Sequence, residues 1–350
     1  MTYIAVDCGK YDTKAACFNG TEVKRSKYRT KLGNGIFEDD MIKKGTMIVQ
    51  VDDGDIYTFG YGAGAEPSME TSKKTLAHRI ATLSAIASSL GPGEYKDVYV
   101  AIGVPLDICA NPAERIAYKD FILGTDGESH TVRWKKESEG PVNETRFTIK
   151  KRYVYPEGCG VLWLYPEKCQ GSTAIIDIGN LNTNCIYAEG LNPEDEMCFT
   201  GELGGKVLIA GLAGALSADL GSRVAETMVA QALLKSGADR HLVSARKDSV
   251  LEERSAEIIA DYALSHVRMI KQQCDIHHWP LDFCQILAVG GTSRLLQAEL
   301  KEVLGETVFI PEGSEYVNAE GFLRRMCASL GVDVNKKKEK SEKGDKEHAA

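Results

Sequence analysis

The chain has 350 residues, 43% hydrophobic and 26% charged, an ordinary globular balance with enough length for two domains that each bury a core. Its formal net charge of −8 argues against a generic binder of phosphate backbones, which needs a concentrated basic face, so direct nucleic-acid binding is not expected. No segment approaches the ~20 apolar residues of a membrane helix, and the first strand runs at once into polar turn residues; neither a membrane span nor a signal peptide is expected, and the expected location is the cytoplasm.

The opening residues predict a three-strand meander. Tyr3 to Asp7 and Lys14 to Phe18 are apolar runs, and Glu22 to Tyr28 alternates as a half-buried strand does. Asn19-Gly20 supplies a hairpin signal between the second and third strands. Residues 73–90 carry apolar side chains at helical spacing up to the stop at Gly91-Pro92-Gly93, and KDVYVAIGVPL after them predicts a buried strand. Tyr155-Pro156-Glu157-Gly158-Cys159-Gly160 then opens a short apolar helical stretch, VLWLY.

At this point the opening of the chain recurs. Residues 6–20 read VDCGKYDTKAACFNG and residues 176–190 read IDIGNLNTNCIYAEG, an offset of 170 positions without a gap. Asp7 meets Asp177, Gly9 meets Gly179, Thr13 meets Thr183 and Gly20 meets Gly190, and a third strand is expected over Glu196 to Thr200. Two such hairpins in two halves suggest a duplication into similar lobes. Helices are expected over 204–219, 222–237 and 251–274, a strand over Gln285 to Val289, and a helix from Ser293 to Leu304 after Gly290-Gly291-Thr292. From Asn335 the sequence NKKKEKSEKGDKEHAA has no apolar content to offset the entropy of ordering, and a disordered tail is expected.

Each D-x-G hairpin suits half of a phosphate clamp. The glycine lets backbone approach a phosphate, and successive turn N–H groups form an anion-binding nest. The carboxylates of Asp7 and Asp177 suit Mg²⁺ held through water, because that ion dehydrates reluctantly. Lys14, seven residues after Asp7, is placed to curl back to a phosphate, whereas its counterpart is Asn184, so one lobe alone supplies positive charge. Thr13 and Thr183 either donate hydroxyls or simply favour strand. Gly290-Gly291-Thr292 leaves room for a base or ribose between strand and helix. Glu157 is either a helix-start cap or the side chain that orients an attacking water.

The ten cysteines include no C-x-x-C pair, and many lie in apolar strands, so they are read as reduced core residues. Cys274, His277, His278 and Cys284 are zinc-ligand types whose spacing fits no standard finger, and a structural role is the expectation.

In order, VDCGKYDTK, VAIGVPL, VYPEGCGVLW, AIIDIGNLNTN, ILAVGGTSRLL and YVNAEGFLRRM resemble the actin and Hsp70 ATPase superfamily, and within it the bacterial ParM-like actins, filament-forming ATPases that segregate plasmids. The likeness runs from residue 1 to about 331. It implies an α/β actin-like ATPase fold of two duplicated RNase H-like lobes, their mixed sheets flanked by helices, with the nucleotide in the cleft between them. The resemblance implies domain I over 1–155 plus 316–334, domain II over 156–315, and a tail over 335–350. It makes Gly9, Lys10, Tyr11, Asp12, Thr13 and Lys14 the phosphate 1 loop with Asp7, and Gly179, Asn180, Leu181, Asn182 and Thr183 the phosphate 2 loop with Asp177. Gly290, Gly291 and Thr292 become the adenosine motif, and Glu157 the water-orienting residue. Asn180 and Asn184 stand where many relatives have Gly and Asp, and Thr292 replaces a third glycine. The implied ligands are ATP, with GTP as the alternative, and Mg²⁺. The implied partners are further copies of the chain in a filament and a ParR-like adaptor that reaches centromere-like plasmid DNA. A metabolite kinase of the same superfold and a non-polymerising nucleotide-dependent scaffold are the competing readings.

Overall fold

The computed structural model describes residues 1–64, 72–245 and 248–334, so the expected tail lies outside the described residues. The first half opens with β1 (Thr2–Cys8), β2 (Asp12–Phe18) and β3 (Val23–Arg29), the meander the sequence predicts. Asn19 accepts from the backbone N and hydroxyl of Thr21, and Gly20 takes φ +98°, which turns the chain between β2 and β3. Then come β4 (Leu32–Asn34), β5 (Thr46–Val51), β6 (Ile56–Gly60), α1 (Leu76–Leu90), β7 (Gly93–Val104), α2 (Leu106–Ala110), α3 (Pro112–Leu123), β8 (Ser129–Lys135) and β9 (Asn143–Pro156). Among the described residues the strands form one nine-stranded sheet in the order β3-β2-β1-β7-β9-β8-β5-β6-β4. The pairs β1–β7 and β7–β9 are parallel and the rest antiparallel, so the sheet is mixed.

The second half begins with α4 (Gly160–Leu164) and β10 (Ser172–Ile178), followed by β11 (Thr183–Glu189), β12 (Asn192–Pro193), β13 (Phe199–Gly201), α5 (Gly205–Leu220), α6 (Glu226–Leu233), α7 (Ser249–Ile276), β14 (Gln285–Val289), α8 (Gln297–Leu304) and α9 (Val317–Ser329). Here β10 pairs antiparallel with β11 and parallel with β14, as β1 pairs with β2 and β7. The repeat extends to register. Asp7 faces Lys14 and Cys8 faces Thr13 in one hairpin; Asp177 faces Asn184 and Ile178 faces Thr183 in the other. The fold is the α/β arrangement of two sheets with covering helices that the sequence led one to expect.

Two short helices bind the halves together. One face of the large sheet packs against α1 and α3. Its other face, through Tyr3, Ala5, Ala16, Phe18 and Ala101, meets Ala319, Phe322, Leu323 and Met326 of α9. Conversely α4, which continues directly from β9, buries Val161, Leu162 and Leu164 against Ile175, Ile186, Leu287 and Val289 of the smaller sheet. Where α4 and α9 meet, a methyl group on Gly160 would collide with the backbone of Asn318, and one on Gly321 with the backbone of Gly160. The two helices therefore touch main chain to main chain.

Several boundaries differ from the sequence reading, each for a local reason. The helix expected from residue 73 starts at Leu76, because Thr75 caps it through the His78 N–H and Lys73 is drawn elsewhere. The helix expected over 222–237 is confined to Glu226–Leu233, since Val224 N–H bonds back to the Ser217 hydroxyl and Gly237 opens a separate 3₁₀ turn. The helix expected from Ser293 starts at Gln297, because the Ser293 hydroxyl caps the Gly290 carbonyl instead. The strand expected over Glu196 to Thr200 is the shorter β13, preceded by a 3₁₀ turn at Asp195–Met197.

The large sheet also buries a histidine that pairs with an exposed carboxylate just past the end of β5. His130, 1% exposed, points Nδ1 at Asp52 Oδ2 (2.8 Å) and Nε2 at the Leu123 carbonyl (3.0 Å). Burial pulls the imidazole pKa down, but these two acceptors outweigh it and hold it above the ordinary value. A raised folded pKa gives stability that is complete below the unfolded value and lost as pH rises through the folded one. Thermal unfolding of His130→Gln beside the native chain should accordingly show a deficit at about pH 6 that narrows as pH rises to about 9. A deficit independent of pH would show that the ring contributes packing alone.

Candidate functional site

The three carboxylates singled out in the sequence converge. Asp7 ends β1, Asp177 ends β10 and Glu157 follows β9, and all three are buried at 6%, 6% and 7% exposure. Their charges act on one another: Asp7 and Glu157 both push the Asp177 pKa upward. The Lys14 ammonium lies 3.8 Å from Asp7 Oδ2, directly across the hairpin, and folds back beside Gly9.

Lys73, which the sequence reading counted as the start of a helix, supplies a second buried ammonium. It ion-pairs with Glu157 Oε1 at only 9% exposure. Burial pulls its pKa down, yet Glu157 and Asp7 together hold it above the ordinary value, so it stays charged. Burial raises Glu157, and the Lys73 cation only partly restrains that rise. Nothing in a KK-T pattern before a helix separates this lysine from a solvated one. Asn318 is the other residue the motifs missed: its Nδ2 donates to Asp177 Oδ2 at 2.9 Å.

The two turns are braced differently. Both close alike, with Gly9 N–H donating to the Asp12 carbonyl (3.1 Å) and Gly179 N–H to the Asn182 carbonyl (2.9 Å). In the first, Thr30 donates its hydroxyl to the Gly9 carbonyl (2.7 Å), Asp12 is ion-paired with Lys27 and Arg29, and the Arg29 guanidinium stacks over Tyr11. The Lys10 charge reaches His78, whose buried imidazole is pushed down to about 3, chiefly by burial and then by Lys73 and Lys10. In the second turn, Gly179 and Asn180 carbonyls accept from the first N–H groups of α5, Gly205 and Lys206, and a side chain on Gly204 would collide with Leu181. The Gly290-Gly291-Thr292 turn closes the same block, since Thr292 N–H donates to Ile178 and its hydroxyl to Gly179 (2.9 Å).

The predicted threonines thus have protein partners. Thr13 bonds Thr30 and Cys8, Thr183 donates to the Leu203 carbonyl, and Thr292 is engaged as above. Gly290 has a steric reason to be glycine: at φ +89° an added Cβ would lie 2.5 Å from Asp177 Oδ1 and from the Ile178 carbonyl. Gly291 is more open, with Glu315 Cβ 3.9 Å from such an atom.

The zinc-type residues are dispersed among packing roles. Cys274 is wholly buried, the His277 ring stacks on Phe199 at 3.8 Å, and the Cys284 thiol donates to the Pro280 carbonyl. All ten cysteines are free. No described helix is long and apolar enough to cross a membrane.

Comparison with known proteins follows the same lines. Residues 5–160 match the family described as actin like proteins N terminal domain. No curated protein sequence matches the chain. Among solved structures, Ta0583, an archaeal actin homolog, superposes with a TM-score of 0.75 at 20% identity, over 94% of this chain and 100% of that one, and has also been solved in complex with ADP. The Alp12 filament structure gives 0.68 at 21% identity over 94% and 99%. The 15-stranded ParM filament of Clostridium botulinum gives 0.70 at 17% identity over 93% and 99%. The fold is actin-like throughout the described residues.

Asp177 offers a direct check on the site. Burial first, and the charge of Asp7 after it, push its pKa up to about 6 against the pull of Asn318. A raised carboxylate pKa costs stability once pH passes the ordinary value near 4, and the cost is complete above about 6, on the order of 3 kcal/mol. Asp177→Asn should raise the melting temperature of nucleotide-free protein by several degrees at about pH 8 and by much less at about pH 5. An equal or opposite shift at the higher pH would remove the buried charge from the account.

Proposed function

We propose that this chain, actin-like by its N-terminal domain and its fold, binds ATP in the cleft between its two hairpins, hydrolyses it, and polymerises into dynamic filaments. The observation that carries the reading is the convergence of Asp7, Glu157 and Asp177 with Lys14 and Lys73 in one buried space between two matching glycine turns. Such a cluster is poorly balanced without a further cation, and its flanking turns present backbone to an anion. ADP in the archaeal homolog and the filaments of Alp12 and ParM lend support.

Asp7 and Asp177 fit a Mg²⁺ ion held through water: they are hard oxygen donors from opposite lobes, and Asp177 Oδ1 stands over a glycine with no side chain in the way. The ion, when bound, neutralises charge on the phosphate oxygens. The chain's own residues do the rest. The turns Gly9–Asp12 and Gly179–Asn182 hold β- and γ-phosphate from two sides, and Lys14 adds charge on the first side only. Gly290, Gly291 and Thr292 flank the nucleoside. Glu157, held by Lys73, orients the attacking water with its carboxylate, and the reaction is mostly positioning and electrostatics. Because both lobes hold the γ-phosphate, ATP favours the closed arrangement and its loss removes that preference. A non-closing contact between closed copies then builds a filament. By resemblance to ParM-like actins, the cargo is plasmid DNA reached through a ParR-like adaptor.

The first test is light scattering of purified protein on addition of Mg-ATP, with Mg-ADP and no nucleotide as controls. A rise that needs ATP, has a critical concentration and decays with phosphate release is the expected result. Bound ATP without scattering at tens of micromolar would overturn the filament. Glu157→Ala should retain ATP binding while hydrolysis falls by about 100-fold or more, as for loss of a general base. Unchanged turnover would remove Glu157 from the reaction.

A further inference from the structure

Asn318 sits at the start of α9, 9% exposed, where the helix returns to the large sheet. Among the described residues its side chain has three hydrogen-bond partners. Nδ2 donates to Asp177 Oδ2 at 2.9 Å, and Oδ1 accepts from the N–H groups of Gly158 (3.1 Å) and Gly160 (3.3 Å). The partners fix the amide orientation chemically: two N–H donors require the oxygen, and a carboxylate requires the nitrogen. Only an amide meets both demands. Aspartate keeps the acceptor and loses the donor; alanine loses both.

We infer that Asn318 is a positioning residue, one that fixes the plane of the Asp177 carboxylate and ties it to the turn carrying Glu157. The inference rests on the hydrolytic reading above. With Oδ2 held by Asn318, Oδ1 is left over Gly290, where the absence of a side chain opens it to the cleft. The same side chain grips both ends of the turn after Glu157, at Gly158 and Gly160. The amide thus joins the segments bearing Asp177 and Glu157, and α9, which carries it, packs by Phe322 and Leu323 on the sheet that holds Asp7. Groups of this kind, which touch no substrate but orient those that do, commonly govern activity more than affinity.

The experiment uses the full chain and four variants, Asn318→Asp, Asn318→Ala, Asp177→Asn and the double change Asp177→Asn with Asn318→Asp. Fluorescent ATP-analogue binding, steady-state turnover and thermal unfolding are measured on each, with Trp163 emission reporting the α4–α9 packing. Asn318→Asp is expected to fold and bind nucleotide within a few-fold of native while kcat falls 10- to 100-fold, the range for loss of an orienting partner. Asn318→Ala should lose as much turnover and also melt lower. The double change restores an amide–carboxylate bond with reversed polarity, so its gain in melting temperature over Asn318→Asp should exceed the gain of Asp177→Asn over native, without regained turnover. Native kcat in Asn318→Asp would overturn the inference, leaving Asn318 as an anchor for two glycine N–H groups. A double change that gains no more over Asn318→Asp than Asp177→Asn gains over native would overturn it as well. If the native chain itself hydrolyses nothing, the proposed function fails, yet the paired melting temperatures still decide whether residues 177 and 318 act as one bond.

Discussion

Three carboxylates and two ammonium groups crowd one largely buried space, and much of the molecule is arranged to tolerate that. Burying a charge is costly unless it is paired, and here the pairing is incomplete: Lys14 serves Asp7, Lys73 serves Glu157, and Asp177 has only the amide of Asn318. The consequence is a carboxylate whose pKa burial, and Asp7 after it, push up to about 6. Buried, incompletely paired carboxylates of this kind mark candidate functional sites.

The duplication explains the geometry and the asymmetry explains its use. Both hairpins end a buried strand with an aspartate in the same register, so a two-sheet protein built by repetition automatically aims two carboxylates at one cleft. Divergence then assigned different supports. The first turn is braced by side chains of the basic strand β3, and the second by the main chain of α5 and by the Thr292 turn. Side-chain ion pairs support the first turn, and main-chain hydrogen bonds support the second.

Much of this was legible in the sequence because it is local. A D-x-G turn, an Asn-Gly hairpin and an apolar run declare themselves within a few residues, and the repeat at an offset of 170 needs only a comparison of the chain with itself. What escaped reading was non-local. Lys73 reaches Glu157 across 84 residues, and Asn318 reaches Asp177 across 141; neither distance leaves a trace in spacing or periodicity. The strands β4, β5, β6 and β8 escaped for another reason. The β5–β6 and β8–β9 pairs are near neighbours in the chain, but the sheet joins them through β5 and β8, which are remote from one another, so packing and not pattern decides them. Helix starts slipped at Thr75 and Ser293, where a hydroxyl's choice of backbone partner sets the boundary.

The bare contact between α4 and α9 carries a lesson about heredity. Most of the fold tolerates replacement: the archaeal homolog keeps the arrangement over 94% of this chain at 20% identity. Cores allow such drift because one large side chain can shrink while a neighbour grows. At Gly160 and Gly321 no such compensation exists, because the opposing surface is main chain, which every amino acid shares. A lineage can rewrite the walls of this protein piece by piece, but at that crossing it inherits two positions with a single permitted letter.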